Sequence, residues 1–464
     1  MNAMKTFCGF LSVAIATIVV QPQTNINLER FIPAKSYVGN EQKTLGDSNG
    51  NAAIYYLFAI CIFDKLPDPI KMVSPNDSNS CLLDNWDLLP YDELPTAECQ
   101  AFVDVYRRPL HYVEIGSRQP TCDWEGTRDP LNDSPELEGL HRLAKILNLR
   151  AKLNIHKRDF PSALQDLATC IALARHLGNS GGLQNSFKAA GILSSVFVRL
   201  DEFIDAGGPN LNEWLARLPL PHWQLHTSFQ FEAKLFYDVF PILTELHAVS
   251  GDGRIGRRVE EHVGMFFKDF EFADSDRKKL LRDLAIKARL GEKSAKNVEH
   301  LQLDLESGQM HAFEQLLAER LRLYDDAVEL AVSMPNTNWK EENQSFQTKI
   351  DLVVKRSIEL DLVLTGGLLL QLTSVNEHPL GYWPRLWKQQ LSFTRRICRL
   401  RALELVRQYY LENGRLPITS EVLPPMPLDP LSGQPIKIET SESEVVLVME
   451  SIDGDTERIF WKPK

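Results

Sequence analysis

The stretch Glu136 to Gly178, ELEGLHRLAKILNLRAKLNIHKRDFPSALQDLATCIALARHLG, sets the plan of the chain. Leu140, Leu143, Ala144, Leu147 and Ala151 recur at helical spacing and draw one apolar stripe. Ile146, Leu149 and Leu153 draw a second stripe beside it, so this helix must be covered from two sides. Ser134 is placed to cap it, and Pro135 falls where a missing N–H costs nothing. After the polar turn His156-Lys157-Arg158-Asp159, Pro161 sits in the first turn of the next helix. There Leu164, Leu167, Ala168, Ile171 and Ala174 form a single stripe, and Gly178 is expected to end the helix as its C′ residue.

The pair resembles one tetratricopeptide unit in its small residues Ala151 and Ala163, its Asp159-Phe160 turn, and Leu167 and Cys170 in the second helix. Arg150 and Arg175 stand where that family prefers an apolar residue and a proline. No second copy follows at the family's period of about 34 residues, which leaves a general helical hairpin as the other reading.

A chain of 464 residues can bury a large core and form two or three units. Its formal charge of −11 argues against a general nucleic-acid binder, because phosphate contacts need a basic surface. Near the amino terminus, Lys5 precedes an apolar run of 14 residues, Phe7 to Val20, which Gln21-Pro22-Gln23 ends. That is the length of a signal-peptide core and short for a bilayer span. Residues 1–20 are therefore expected to be a signal peptide, with an uncleaved anchor or a buried helix as alternatives. Export to the periplasm or cell envelope follows, and membrane contact is expected only through this segment if it stays attached. Of seven cysteines, Cys81, Cys99 and Cys122 lie in what reads as a loop-rich region where disulfides suit an oxidising compartment. Cys61, Cys170 and Cys398 read as buried thiols in or beside helical stripes.

Residues 21–50 read as a polar tether, and residues 51–380 as a helical-hairpin domain. Asn51 is expected to cap an amphipathic helix, Ala52 to Phe63. Pro67 to Pro95 reads as an irregular excursion, and Ala97 to Val113 as a helix broken near Pro109. Leu183 to Phe203 is a further helix stopped by Gly207-Gly208-Pro209. A short and a long helix follow over 211–248, and a long antiparallel pair over 313–334 and 341–372. Residues 381–464 form the last unit, a helix from Arg385 to Leu411 and then three short strands. These are Ile436 to Glu439, Glu444 to Met449 and Arg458 to Trp461, the last two joined around Asp453-Gly454.

In that unit Tyr409, Gly414 and Pro417, then Leu428-Asp429-Pro430 before Gly433, resemble the globular part of the major pseudopilins of type II secretion. The resemblance implies a small helix-plus-sheet head. Gly9-Phe10 echoes a pseudopilin leader, but Ala14 stands where its acidic residue belongs, which implies a borrowed fold and no pilus subunit. Taken with the leader, the Asn51 to Tyr56 segment and Cys122-Asp123-Trp124, the chain is similar to a group of large exported bacterial proteins. That likeness implies a compartment and no activity.

Chemistry-bearing patterns are sparse. Gly251-Asp252-Gly253-Arg254-Ile255-Gly256 matches G-x-G-x-x-G, but the residues before it read as helix and not as the strand a dinucleotide site needs. His222 and His226 could share a helix face, yet no third ligand accompanies them. Arg385, Lys388, Arg395, Arg396, Arg399, Arg401 and Arg407 could form a basic ligand surface; a solvated basic face is the simpler account. The pseudopilin likeness raises calcium at Asp429, Asp453 and Asp455, but acids at a hairpin tip are ordinary turn chemistry. No residue is assigned a catalytic, cofactor-binding or metal role, and no cofactor is expected. The sequence therefore predicts a mainly α protein, a helical-hairpin array followed by a small C-terminal α+β unit. It reads as an exported, non-catalytic scaffold or interaction module whose partner is another envelope protein. The alternative is an extracytoplasmic hydrolase with a site on the loops after Pro67 or around Gly251.

Overall fold

Backbone donors at the start of a helix need partners, and Asn51 supplies one. Its side chain accepts from the Ala53 N–H at 3.0 Å and from the Asp123 N–H at 2.7 Å, so one residue starts α1 (Ala52–Phe63) and fastens it to a loop 72 positions on. The structure is a computed structural model. It describes residues 50–67, 73–74, 77–124, 135–180, 182–220 and 383–419, then 423–441, 443–450 and 456–463, with isolated positions between 223 and 329.

A two-stranded ribbon, β1 (Val73–Ser74) and β2 (Asp77–Cys81), leads into α2 (Leu82–Leu88) and a single 3-10 turn, Tyr91–Glu93. The segment expected to be irregular thus carries short elements. Next come α3 (Thr96–Val105) and α4 (Arg107–Ser117). The break between them falls at Tyr106, three residues before Pro109. Pro109 occupies the first turn of α4, where its missing N–H is no loss, and its ring would clash with a continuing helix at the Val105 carbonyl.

The central hairpin is α5 (Pro135–His156) and α6 (Phe160–Gly178), as its two stripes require; Ser134 lies outside the described residues. The turn closes with the Asp159 N–H on the Asn154 carbonyl at 2.8 Å and the Arg158 N–H on the Ile155 carbonyl at 2.9 Å. This is a Schellman closure, and it sets Arg158 at φ 58°, a conformation usually left to glycine. The Arg158 guanidinium bonds the Ala206 carbonyl, holding the turn against the end of α7 (Leu183–Asp205). Asp159 then caps α6 through the Ser162 N–H.

Gly178 departs from expectation. It lies within α6, followed by Asn179 as the cap, and its backbone is not left-handed. A Cβ there would stand 2.5 Å from the Trp223 ring, so this glycine admits a tryptophan and terminates nothing. The turn after α7 keeps its expected glycines: Gly207 has φ 76°, and Gly208 lies against the Phe203 ring.

Helices α5, α6 and α7 pack on one another, α1 packs on α4, and α4 packs on α6. After α8 (Asn212–Ala216), the long helix α9 (Trp383–Asn413) lies against α7 and α8. Phe393 stacks on Phe197 at 5.5 Å, and Gln390 donates to the Trp223 carbonyl at 2.5 Å. The other side of α9 meets an antiparallel meander of β3 (Lys437–Thr440), β4 (Val445–Glu450) and β5 (Thr456–Trp461). Val445, Leu447 and Met449 are buried, and Trp461, directly across from Val445, meets Tyr410 edge-on at 6.0 Å. Among the described residues there are nine α-helices and this three-stranded sheet, a mainly helical protein with a small carboxyl-terminal sheet. The helices expected over 211–248 beyond α8, and the pair over 313–372, fall largely outside the described residues.

Two substitutions probe these seams by chemical denaturation. Gly178→Ala should cost about 1–3 kcal/mol by forcing the Trp223 ring outward. Arg395→Met should cost about 3–5 kcal/mol, because it strands the buried Asp429 carboxylate without its cation.

Candidate functional site

Groups capable of chemistry gather at three buried places. In the first, Tyr56 on α1 faces inward over Gly116, where a Cβ would stand 2.6 Å from its ring. Its hydroxyl lies 2.8 Å from His176 Nδ1 on α6, and the His176 ring also bonds the Gln119 backbone. This fits a neutral imidazole that accepts from the tyrosine and donates to the carbonyl. The Trp124 ring stacks on Tyr56 at 6.1 Å. Burial drives the His176 pKa down to about 4, aided by the neighbouring Arg175 charge, and drives Tyr56 well above its ordinary value. A tyrosine–histidine pair is a possible acid–base couple, but Tyr56 is wholly buried, so here the pair ties α1 to α6.

The second place is the flank of α5 facing α4 and α6. Arg150 bonds Asp166 at 3.0 and 2.5 Å and Glu114 at 2.5 Å, while Asn154 donates to the other Asp166 oxygen at 3.0 Å. Burial pushes Asp166 up to about 6 against the lowering field of Arg150, so it remains an anion at neutral pH. Cys170 lies beside it and its thiol is raised by burial, so no reactive thiolate forms there.

The third place is the opposite flank. Lys152, with no exposed surface, donates to the Trp86 carbonyl at 3.0 Å, the Asp87 carbonyl at 2.8 Å, and the Leu89 carbonyl. These are the carbonyls that the end of α2 leaves open, so the lysine caps that helix from inside the core. Glu202 sits 3.7 Å from Lys152 and 3.0 Å from Arg199, which also reaches Asp87. Burial, then the Arg199 charge, lowers Lys152 to about 8.

The basic residues expected to lie along α9 are spent inside the molecule. Arg395 pairs with buried Asp429 at 3.0 Å and bonds the Glu450 carbonyl; Arg396 pairs with Asp201; Arg401 donates to Asn212. Arg407 holds Glu404 at 3.0 Å and bonds the Gly208 carbonyl. Arg399 is held near Glu457, leaving Arg385 and Lys388 as the exposed cations of the series. Neither a basic ligand surface nor a solvated basic face is therefore present. The reason is that α9 has the helical domain on one side and the sheet on the other. Asp429 likewise has both oxygens engaged, and it accepts from the Leu431 N–H as the turn residue before left-handed Gly433. Asp453, Asp455, His222, His226 and the Gly251 to Gly256 run lie outside the described residues.

The cysteines also depart from expectation. Cys99 is a buried free thiol on α3 and not a loop residue, and Cys61 is exposed where burial was expected. Cys81 and Cys122 are half-buried, Cys170 is buried and Cys398 half-buried.

One outward-facing feature stands apart. The sequence of α1, AAIYYLFAICIF, was expected to be amphipathic, but it carries no charge on either side. Tyr56, Ala59, Ile60 and Phe63 face inward, leaving Ile54 and Phe58, 52% and 54% exposed, with Cys61 to form an apolar ridge. Tyr112 of α4 touches Phe58 at 5.9 Å and continues it. The complete absence of charge between Ala52 and Phe63 was the signal that could have revealed it.

Among the described residues no helix is long and apolar enough to cross a membrane, and no cluster of histidine, cysteine and carboxylate side chains could hold a metal ion. Comparison of the chain with protein-family models, with curated proteins and with solved structures finds no match.

His176 gives this region a pH signature. An unfolded histidine gains its proton near pH 6.5, the folded one only near 4. Its contribution is whole above about pH 6.5 and is lost as the pH falls toward 4, by about 3 kcal/mol in all. His176→Gln, which can keep a donor and an acceptor without titrating, should flatten that part of the stability profile in urea titrations at several pH values. An unchanged slope would rule out His176 as its source.

Proposed function

We propose that the chain is an exported helical scaffold without catalytic activity, which attaches to another component of the cell envelope. The observation that carries this reading is the contrast between its interior and its surface. Each strongly shifted titratable group at the three places described is buried and bonded to its own chain, whereas α1 turns a fully uncharged ridge outward. Monomeric surfaces leave single apolar side chains exposed, but an uncharged helix face rimmed by polar residues is a common mark of a docking site.

Export rests on the apolar run Phe7 to Val20 and on the polar residues after it. The carboxyl-terminal unit is read as a compact head in the manner of the pseudopilin globular part. Supporting this are the left-handed Gly414 at the end of α9, the Asp429 turn with left-handed Gly433, and the three-stranded meander. The arginine ties from α9 hold that head against the helices, so the scaffold would present it at a fixed angle.

Two measurements test the reading. A reporter fused beyond residue 50 should be found outside the cytoplasm, and recovery in the cytosol would defeat export. The purified full chain should bind isolated cell envelopes, and the pair Ile54→Ser with Phe58→Ser should reduce that binding about tenfold while leaving thermal stability nearly unchanged. Equal binding by the wild type and the pair would remove the α1 ridge from the attachment.

A further inference from the structure

We propose that the α1 ridge and the basic face of α4 beside it form a docking surface for an anionic membrane leaflet. The proposal rests on the scaffold reading above and names what the ridge attaches to.

Helices α1 and α4 run antiparallel. Gln119, just past the end of α4, bonds the Gly50 N–H beside the α1 start, and Tyr106, just before α4, meets Phe63 at the α1 end. Phe58 and Tyr112 touch midway. The solvent side of α4 therefore adjoins the ridge along its whole length. That side carries Arg107, Arg108 and Arg118, all exposed, and Lys65 is exposed just past α1. Glu114, the one acid on α4, is matched by Arg150 of α5. Against these four cations stand Asp64, Asp104 and Asp123, all exposed, so the patch keeps an excess of one positive charge on a protein whose formal charge is −11.

Apolar side chains flanked by guanidinium groups are what an interfacial membrane contact requires. The ridge enters the acyl boundary while the arginines meet lipid phosphates and carry their stems along the apolar surface. The same charges disfavour a second copy as occupant, since a two-fold contact through this patch would set like charges together. Position in the chain favours lipid over an acidic protein. Helix α1 begins at Ala52, about 30 residues after the apolar run Phe7 to Val20, and a segment of that length can span to any bilayer that run enters.

The test is co-sedimentation of the full chain with vesicles of phosphatidylcholine, with and without phosphatidylglycerol. Three proteins are compared: the wild type, the pair Ile54→Ser with Phe58→Ser, and the charge-reversed pair Arg108→Glu with Arg118→Glu. Residues 1–50 are the same in all three, so differences report on the patch. Wild type should partition at least about tenfold more strongly onto the anionic vesicles and weaken as salt rises. Each pair should lose about tenfold. Equal binding to both vesicle types, or variants that bind as wild type does, overturns the proposal. If the serine pair alters the circular dichroism or melting of the protein, the charge-reversed pair, at two exposed positions, decides. Ridge-dependent binding to cell envelopes without binding to protein-free vesicles overturns the lipid assignment, keeps the scaffold, and makes an envelope protein the occupant. Failure to bind either one defeats both readings.

Discussion

Helix α5 is covered on every side, and that constraint orders the rest of the amino-terminal domain. It touches α1, α2, α3, α4, α6 and α7, yet every second residue from Asn148 to Asn154 is polar. A helix sets residues four apart on one face, so Lys152 looks one way and Arg150 and Asn154 the other, while Asn148 bonds Cys170 of α6. On the first face Lys152 holds the end of α2 and approaches Glu202 of α7. On the second, Arg150 and Asn154 converge on Asp166 of α6, with Glu114 of α4 closing the group. Leaving any of these charges buried and alone would cost several kcal/mol, so each neighbour is fixed in register and not only pressed against a greasy rod. A helix sliding by one turn would keep most of its apolar contacts and lose its partners.

The same logic governs α9 at the other end of the chain. It is a basic helix by composition, and in isolation its arginines would be solvated. Between α7 and α8 on one side and the sheet on the other, that freedom is gone. Arg395 reaches Asp429 and the Glu450 carbonyl, Arg396 reaches Asp201, and Arg407 reaches Glu404 and the loop at Gly208. The planar guanidinium, with five donors in a fixed fork, suits this work, because one side chain can satisfy a carboxylate and a carbonyl together.

What was legible in the sequence follows from how locally each feature is encoded. The hairpin of α5 and α6, the α1 cap at Asn51, the start and stop of α7, and all three strands of the final sheet came from spacing, capping and turn residues that act within a few positions. Gly178 was misread because a glycine at a helix end ordinarily terminates, whereas its actual partner, Trp223, is 45 positions away and has no local trace. The charge partners of α9 were hidden for the same reason: Arg396 and Asp201 are 195 positions apart. Apolar periodicity also failed for α1. A helix apolar on all sides offers no stripe to read, and which half is buried is decided by α4, α5 and α6, far off in the sequence.

These observations bear on the meaning of the net charge. The formal value of −11 counts every cation equally, but many arginines are matched in place: those of α9 that hold Asp201, Glu404 and Asp429, together with Arg150 and Arg199. Carboxylates held this close cancel most of each arginine's outward field. Among the described residues, Arg217, Arg385, Lys388 and Arg415 still face solvent. The arginines of α4 also project outward, beside the uncharged outer face of α1, on a helix whose single acid is held by Arg150. Nothing in the packing of α4 demands cations there, because its buried face of Pro109, Leu110, Val113 and Gly116 is complete without them.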